Sequence, residues 1–295
     1  MADSMPPLTR LIAGPVLAIA GALQKIEAVG AGRIPRSGPF LLVSNHTCHL
    51  DWLTLATLVY RAKRAPRFAA RADLFTVPVL GWIMRKTGQI PIYRPDAASA
   101  PKDGGSPASS MRAMGDTLAE GKGIIVFPES TFTRDPSGWP MKARTGAVRL
   151  ALAAPDATVI PVAHWGDEEL IDPWTGKIAW RKLGRWRTTV RVRVGAPVDL
   201  SRYRGREVTH ELLTAATEEI MVAVTDELRA IRTADVAAGT GPRQRRWDRK
   251  IDGDPFEKTV LEHHGRIAAR QERQAERKSA RRRFLSRLRH TVGKR

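Results

Sequence analysis

Of the 295 residues only one is cysteine, Cys48. A single thiol forms no bridge within the chain, which excludes an internal disulfide framework and a four-cysteine zinc site. No run of about 18 or more apolar residues exists either, and a helix needs roughly that length to span a bilayer. Acid is scarce: 30 Asp and Glu stand against 49 Lys and Arg, for a net charge of +19. There is no internal repeat and no recognisable nucleic-acid module, so the basic excess does not by itself imply nucleic-acid binding. It fits anionic membrane surfaces and anionic small substrates equally well. The chain does have enough material for a core. An apolar content of 42% excludes a wholly disordered protein.

The charge is uneven. From Arg243 to Arg295 there are 18 basic and 7 acidic residues, a net of +11, which leaves +8 for the first 242. The C-terminal stretch reads as a basic, partly helical or disordered extension after the Gly239–Pro242 linker. Its Arg281, Arg282 and Arg283 beside Phe284, Leu285 and Leu288 suit a membrane-surface helix. At the other end, Leu11 to Leu23 is an uncharged run of 13 residues containing Gly14, Pro15 and Gly21. It is short for a spanning helix and suits an interfacial or packed one. Ala18-Ile19-Ala20 also has the form of a signal-peptidase site, against a weak positive region that holds Asp3 and Arg10.

Between these ends, strand and helix signals alternate. Phe40–Ser44, Gly123–Phe127 and Val159–Ala163 are short apolar runs that read as buried strands. Val190–Val194 alternates apolar and basic residues, as a half-buried strand does. Arg67–Ala70 and Ile90–Tyr93 are further extended stretches, with Pro91 favouring an edge or a bulge. Helices are expected over Leu50–Tyr60, Val77–Lys86, Met111–Glu120, Thr145–Ala153 and Glu207–Arg232. Pro95–Ser110 reads as a flexible loop. The alternation defines an α/β domain of about 240 residues.

The densest chemistry is Asn45-His46-Thr47-Cys48-His49-Leu50-Asp51, where a strand ends and a helix begins. Functional residues collect at such strand ends. Asp51 in the first helical turn can hold one ring nitrogen of His46, leaving the other as a general base. This is the base and its orienting carboxylate without a serine nucleophile, so the base would deprotonate the substrate. Three alternatives use the same residues: a helix cap, a metal site of His46, His49 and Asp51, and a nucleophilic Cys48.

In this order the blocks resemble the lysophospholipid and glycerolipid acyltransferases, of which 1-acylglycerol-3-phosphate acyltransferase is the central member. His46 to Asp51, preceded by Asn45, is similar to the family's His-x4-Asp motif. Ala70 to Phe75, Pro78 to Gly81 and Gly88 to Arg94 resemble its second block. Phe127-Pro128-Glu129-Ser130-Thr131 resembles its third, and Val159-Ile160-Pro161-Val162 its fourth. The resemblance covers residues 38 to 166. The chain departs from the family at three places. Ser130 replaces a glycine, Phe132 stands where an arginine is usual, with Arg134 two residues on, and Arg71 replaces a lysine.

The resemblance implies a single acyltransferase domain over residues 31–238, with a mixed central sheet flanked by helices. It implies an N-terminal membrane-interface helix over 1–30, and the basic tail takes 239–295. It implies transfer of an acyl group from a thioester, acyl-CoA or acyl carrier protein, to the sn-2 hydroxyl of 1-acylglycerol-3-phosphate. His46 would be the base and Asp51 its partner, with no bound cofactor and no metal. Arg94, Arg71 and Arg134 would meet the acceptor phosphate, and Glu129, Ser130 and Thr131 would shape the acceptor site. Asn45, Pro128 and Pro161 would support the motifs. A lysophospholipid acceptor places such an enzyme on an anionic membrane, at its cytoplasmic face, peripheral or monotopic. Trp174, Trp180 and Trp186 among Lys177, Arg181, Lys182, Arg185 and Arg187 suit that surface. Two other readings remain: a different acceptor on the same fold, such as glycerol-3-phosphate or a glycolipid, and a non-enzymatic basic protein that binds lipid or nucleic acid.

Overall fold

The computed structural model describes residues 5, 7–93, 105–179, 187–263, 265 and 266. Several expectations fall outside them: Arg94, most of the Pro95–Ser110 loop, Trp180 and Trp186 with Arg181, Lys182 and Arg185, and the tail from 267 onward.

A five-stranded mixed sheet in the order β1-β7-β6-β2-β5 forms the centre. β2 (Phe40–Ser44) runs parallel to both β5 (Gly123–Val126) and β6 (Thr158–Trp165). All five of its residues are buried, which is why its sequence is continuously apolar instead of alternating. β7 (Thr188–Val194) lies antiparallel to β6, with Val190, Val192 and Val194 inward, as its alternation predicts. β3 (Ala69–Arg71) and β4 (Ile90–Ile92) form a separate parallel pair, joined to the sheet by a parallel bridge from Phe68 to Ile125.

Helices cover both faces. One face of the sheet (Leu41, Val43, Ile124, Val126, Val159) packs against α4 (Pro107–Ala119), α5 (Gly146–Ala153) and α6 (His210–Ile231). The other (Phe40, Leu42, Ile125, Ile160, Val162) packs against Leu55, Leu58 and Val59 of α2 (Asp51–Arg61). On α6, Leu212, Ala216, Ile220, Val224 and Leu228 form the expected buried stripe, and Thr209 caps its first turn. α3 (Leu80–Lys86) sits between β3 and β4.

Three boundaries differ from expectation. α1 (Pro7–Leu23) leads directly into an unforeseen strand, β1 (Gln24–Val29), parallel to β7 at the sheet edge, so the sheet takes in residues assigned to the N-terminal segment. α4 starts at Pro107, inside the stretch read as a loop, because Ser106 and Ser109 form a capping box. The segment from Thr240 to Phe256, assigned to the basic tail, packs back on the domain. Trp139 donates its Nε1–H to the Thr240 carbonyl at 2.8 Å, Lys142 N–H donates to Trp247 at 2.8 Å, and Arg246 donates to Glu218 on α6 at 2.8 Å. Among the described residues, no helix is long and apolar enough to cross a membrane.

Candidate active site

β2, β5 and β3 all point their C-terminal ends to one edge, and the candidate residues gather there. The chain leaves β2 at Ser44 and enters α2 at Asp51. In between, Asn45 substitutes for a strand residue. Its side-chain amide donates to the His164 carbonyl at 3.0 Å and its oxygen accepts the His164 N–H at 3.1 Å. The last rung of the β2–β6 ladder is thus made by a side chain, and the loop is free to turn.

Asp51 organises that loop from a fully buried position. Its carboxylate accepts N–H groups from Thr47 (2.6 Å) and Cys48 (3.1 Å), the Thr47 hydroxyl (3.1 Å), and His46 Nδ1 at 2.8 Å. Burial pushes its carboxyl upward. The His164 imidazole, His46 and the Thr47 amide outweigh that and hold it below its ordinary value. With Nδ1 donating to Asp51, the free Nε2 of His46 is the acceptor, which is the tautomer a general base needs. The imidazole is 21% exposed and stacks on Phe127 at 4.1 Å, with Phe132 edge-on at 4.6 Å. The expected base and orienting carboxylate therefore meet.

The third block braces His46 instead of facing open space. Glu129 is buried; one oxygen accepts the His46 N–H at 3.0 Å and the other the Met141 N–H at 2.8 Å. Burial pushes its carboxyl up to about 8, against the pull of those two amides. The Thr133 N–H donates to the His46 carbonyl at 2.8 Å, so this loop holds both main-chain polar groups of His46. Pro128 is buried, and Pro161 pairs with Val43 in the sheet. Ser130 has φ of +63°, the left-handed backbone for which a glycine is suited. Thr131 lies half-buried beside it.

The three arginines expected at the acceptor phosphate have different settings. Arg134 is engaged: Nε lies 2.7 Å from Asp254, the guanidinium sits 4.3 Å over Trp174, and Arg249 shares the same carboxylate at 3.2 Å. Arg71 is exposed at the end of β3 and pairs with Asp73 at 2.6 Å. Arg94 follows β4, outside the described residues.

The alternative roles for this loop receive no geometric support. Cys48 is fully buried, and burial with Asp51 nearby pushes its thiol up, away from the thiolate a nucleophile needs. His49 points at Phe132, edge-on at 4.6 Å. A different trio, Asp51, His164 and Asp167, has metal-like spacing. Most of its polar atoms are engaged, and His164 Nδ1 faces Asp167 at 3.3 Å. His164 Nε2 lies 3.0 Å from the Asn45 carbonyl and so donates to it, while Asp167 accepts from the Thr54 hydroxyl and from Gln24. Burial alone would favour neutral His164, but Asp51 and Asp167 outweigh it and push its pKa up to about 9. His164 is thus held between Asp51 and Asp167, next to the His46–Asp51 pair, and burial pushes the Asp167 carboxyl up. Sequence reasoning missed His164, Asp167, Gln24 and Thr54. The only local sign was a His-x-x-Asp where an apolar strand ends.

Residues 25–165 match the family model described as Acyltransferase. That segment runs from within β1 to the end of β6 and includes both halves of the His46–Asp51 pair. More particularly, the chain is 29% identical over 155 residues to the chloroplastic 1-acyl-sn-glycerol-3-phosphate acyltransferases of Brassica napus and Arabidopsis thaliana. The match covers 52% of this chain and 39% and 37% of theirs, so it spans under half the length of those relatives. The crystal structure of the 1-acyl-sn-glycerophosphate acyltransferase of Thermotoga maritima superposes with a TM-score of 0.51 at 23% identity, covering 76% of this chain and 80% of that one. It shares the fold.

Proposed function

We propose that this protein acylates 1-acylglycerol-3-phosphate at its sn-2 hydroxyl, using an acyl thioester and yielding phosphatidic acid. The observation that carries the reading is the 2.8 Å bond from His46 Nδ1 to a buried Asp51, on a loop braced by the third block. The acceptor hydroxyl attacks the thioester carbonyl while His46 Nε2 takes its proton. Asp51 steadies the imidazolium. The intermediate collapses, the C–S bond breaks, and the thiolate recovers the proton from His46. No acyl-enzyme is needed. The donor is acyl-CoA or acyl carrier protein. General-base catalysis of this kind contributes about 10²–10⁴-fold.

A second acceptor class is favoured by one feature. Phe132 takes the usual arginine position, and Arg134 is bound to Asp254, so the third block offers the phosphate less than expected. Glycerol-3-phosphate, other lysophospholipids and glycolipids belong in the same assay. The membrane is the natural location for such substrates. Exposed Leu11 and Ile19 on α1 support a peripheral or monotopic attachment at the cytoplasmic face.

The test is thiol release from palmitoyl-CoA and from acyl carrier protein thioester, with and without 1-acylglycerol-3-phosphate. Release that requires both acceptor and His46 is expected, and His46→Ala lowers it by about 10² or more. Acceptor-independent release would make the protein a thioesterase. Full activity in His46→Ala would overturn the mechanism.

A further inference from the structure

Between β3 and β4 the chain forms a compact knob: a 3₁₀ turn (Ala72–Thr76), a tight bend at Val77–Val79, and α3. Five large apolar side chains stand exposed within its nine positions from 74 to 82: Leu74, Val77, Val79, Leu80 and Trp82. Val79 is 71% exposed and Trp82 50%. A contiguous exposed apolar group of this kind marks a contact with a membrane or a partner.

The backbone holds these side chains out. Val79 has φ of +62° and ψ of −59°, closed by a bond from Leu80 N–H to the Pro78 carbonyl at 2.6 Å. For a β-branched residue this conformation is strained. Entering an apolar phase offsets that strain, since the side chain then leaves water. Gly81 locks the bend: a Cβ there would lie 2.0 Å from the Phe75 carbonyl oxygen. Polar main-chain groups are satisfied inside the knob, with Arg85 donating to the Phe75 carbonyl at 2.8 Å and the Thr76 hydroxyl to Asp73 at 2.7 Å.

Position and charge decide the partner. β3 is parallel to β5, and β5 to β2, so the knob rises from the edge that carries His46. Trp52, exposed and next to Asp51 in the first turn of α2, lies on that edge too. Exposed Arg85 and Lys86 flank the apolar tips, and the one acid, Asp73, is already paired with Arg71. Apolar tips within a basic rim are complementary to an anionic lipid surface.

We infer that the Leu74–Trp82 knob inserts into an anionic bilayer and presses the His46 edge of the domain against it. This deepens the membrane contact proposed above and rests on the reading of the substrates as lipids. The experiment labels Val79→Cys in the full chain with an environment-sensitive thiol dye; native Cys48 is fully buried and stays unlabelled. The dye is read on adding vesicles of phosphatidylcholine, with or without phosphatidylglycerol. A control dye at Asp156→Cys sits before β6, at the opposite edge. A blue shift at position 79 that grows with phosphatidylglycerol and is absent at 156 is expected. In cosedimentation the Val79→Asp/Trp82→Asp variant loses tenfold or more in vesicle affinity. No shift at 79, an equal shift at 156, or a shift produced by acyl carrier protein without lipid would overturn the inference. Vesicle binding needs no turnover, so a wild type that binds vesicles yet transfers no acyl group sinks the enzymatic reading alone.

Discussion

Asp254 Oδ2 lies 2.7 Å from Arg134 Nε. One partner lies just past the third block and the other in a segment well past the matched region. Trp174 joins them: it carries the Arg134 guanidinium at 4.3 Å and stacks on Phe256 at 4.2 Å. Phe132 bridges Trp174 to His46. The Thr240–Phe256 strap therefore reaches the His46 loop through an ion pair and a run of rings.

Breaking that ion pair removes a nearly buried contact, although Asp254 keeps Arg249 at 3.2 Å. Asp254→Ala and Arg134→Ala are each expected to cost about 1–3 kcal/mol, read by urea unfolding. The double variant costs clearly less than the sum, because the first substitution already removes the interaction. Strict additivity would show that the two residues act independently and that the strap is not fastened here.

Glu129 offers a sharper separation of roles. The family resemblance assigns it to the acceptor site, whereas the geometry gives both its oxygens to main-chain amides, one of them that of His46. Glu129→Gln turns one of those acceptors into a donor facing an N–H. The expected result is a fall of about tenfold in kcat, equal to about 1.4 kcal/mol, with acceptor KM nearly unchanged. A raised KM at constant kcat would return Glu129 to direct acceptor contact.

How much of this was legible follows from the range of each interaction. β2, β5, β6, β7 and α6 carry local patterns, either continuous apolar runs or regular periods, and they were readable. β1 was not: it is an edge strand whose side chains after Gln24 are mostly exposed, so no alternation marks it. The start of α4 was hidden because Ser and Pro read as loop residues until Ser106 is seen capping. His46 and Asp51 are five residues apart and could be paired by eye. His164, Asp167, Gln24 and Asp254 act over long separations, which a single sequence does not display.

Ser130 is a local strain point that the resemblance also marks. Its φ of +63° costs a non-glycine residue roughly 1–2 kcal/mol. Ser130→Gly relieves that strain but adds backbone freedom to the unfolded chain, worth about 0.5–1 kcal/mol. The net change is expected to stay within about 1 kcal/mol, with activity retained. Ser130→Val destabilises by about 1–2 kcal/mol. Equal stability of the Val and Gly variants would mean the loop relaxes out of this conformation.

The buried imidazolium makes stability depend on pH with a definite sign. The His164 pKa rises from 6.5 in the unfolded chain to about 9 in the fold, because Asp51 and Asp167 outweigh its burial. Between those values the native state holds more protons than the unfolded one, so unfolding free energy falls as pH rises. The contribution is complete below pH 6.5 and lost as pH passes about 9. Glu129, raised from 4.5 to about 8 chiefly by burial, acts in the same direction at lower pH. Melting temperature measured from pH 6.5 upward is therefore expected to decline through pH 9. His164→Gln removes the steep part of that decline near pH 9 and leaves the lower part to Glu129 and to Glu168, which burial raises to about 7. The variant also exposes Asp51 and Asp167 to each other without a cation, at a cost of about 3–5 kcal/mol. A wild-type profile with no fall near pH 9 would mean that His164 is neutral in the fold, and Asp51 would then owe its lowered pKa to His46 and the loop amides alone.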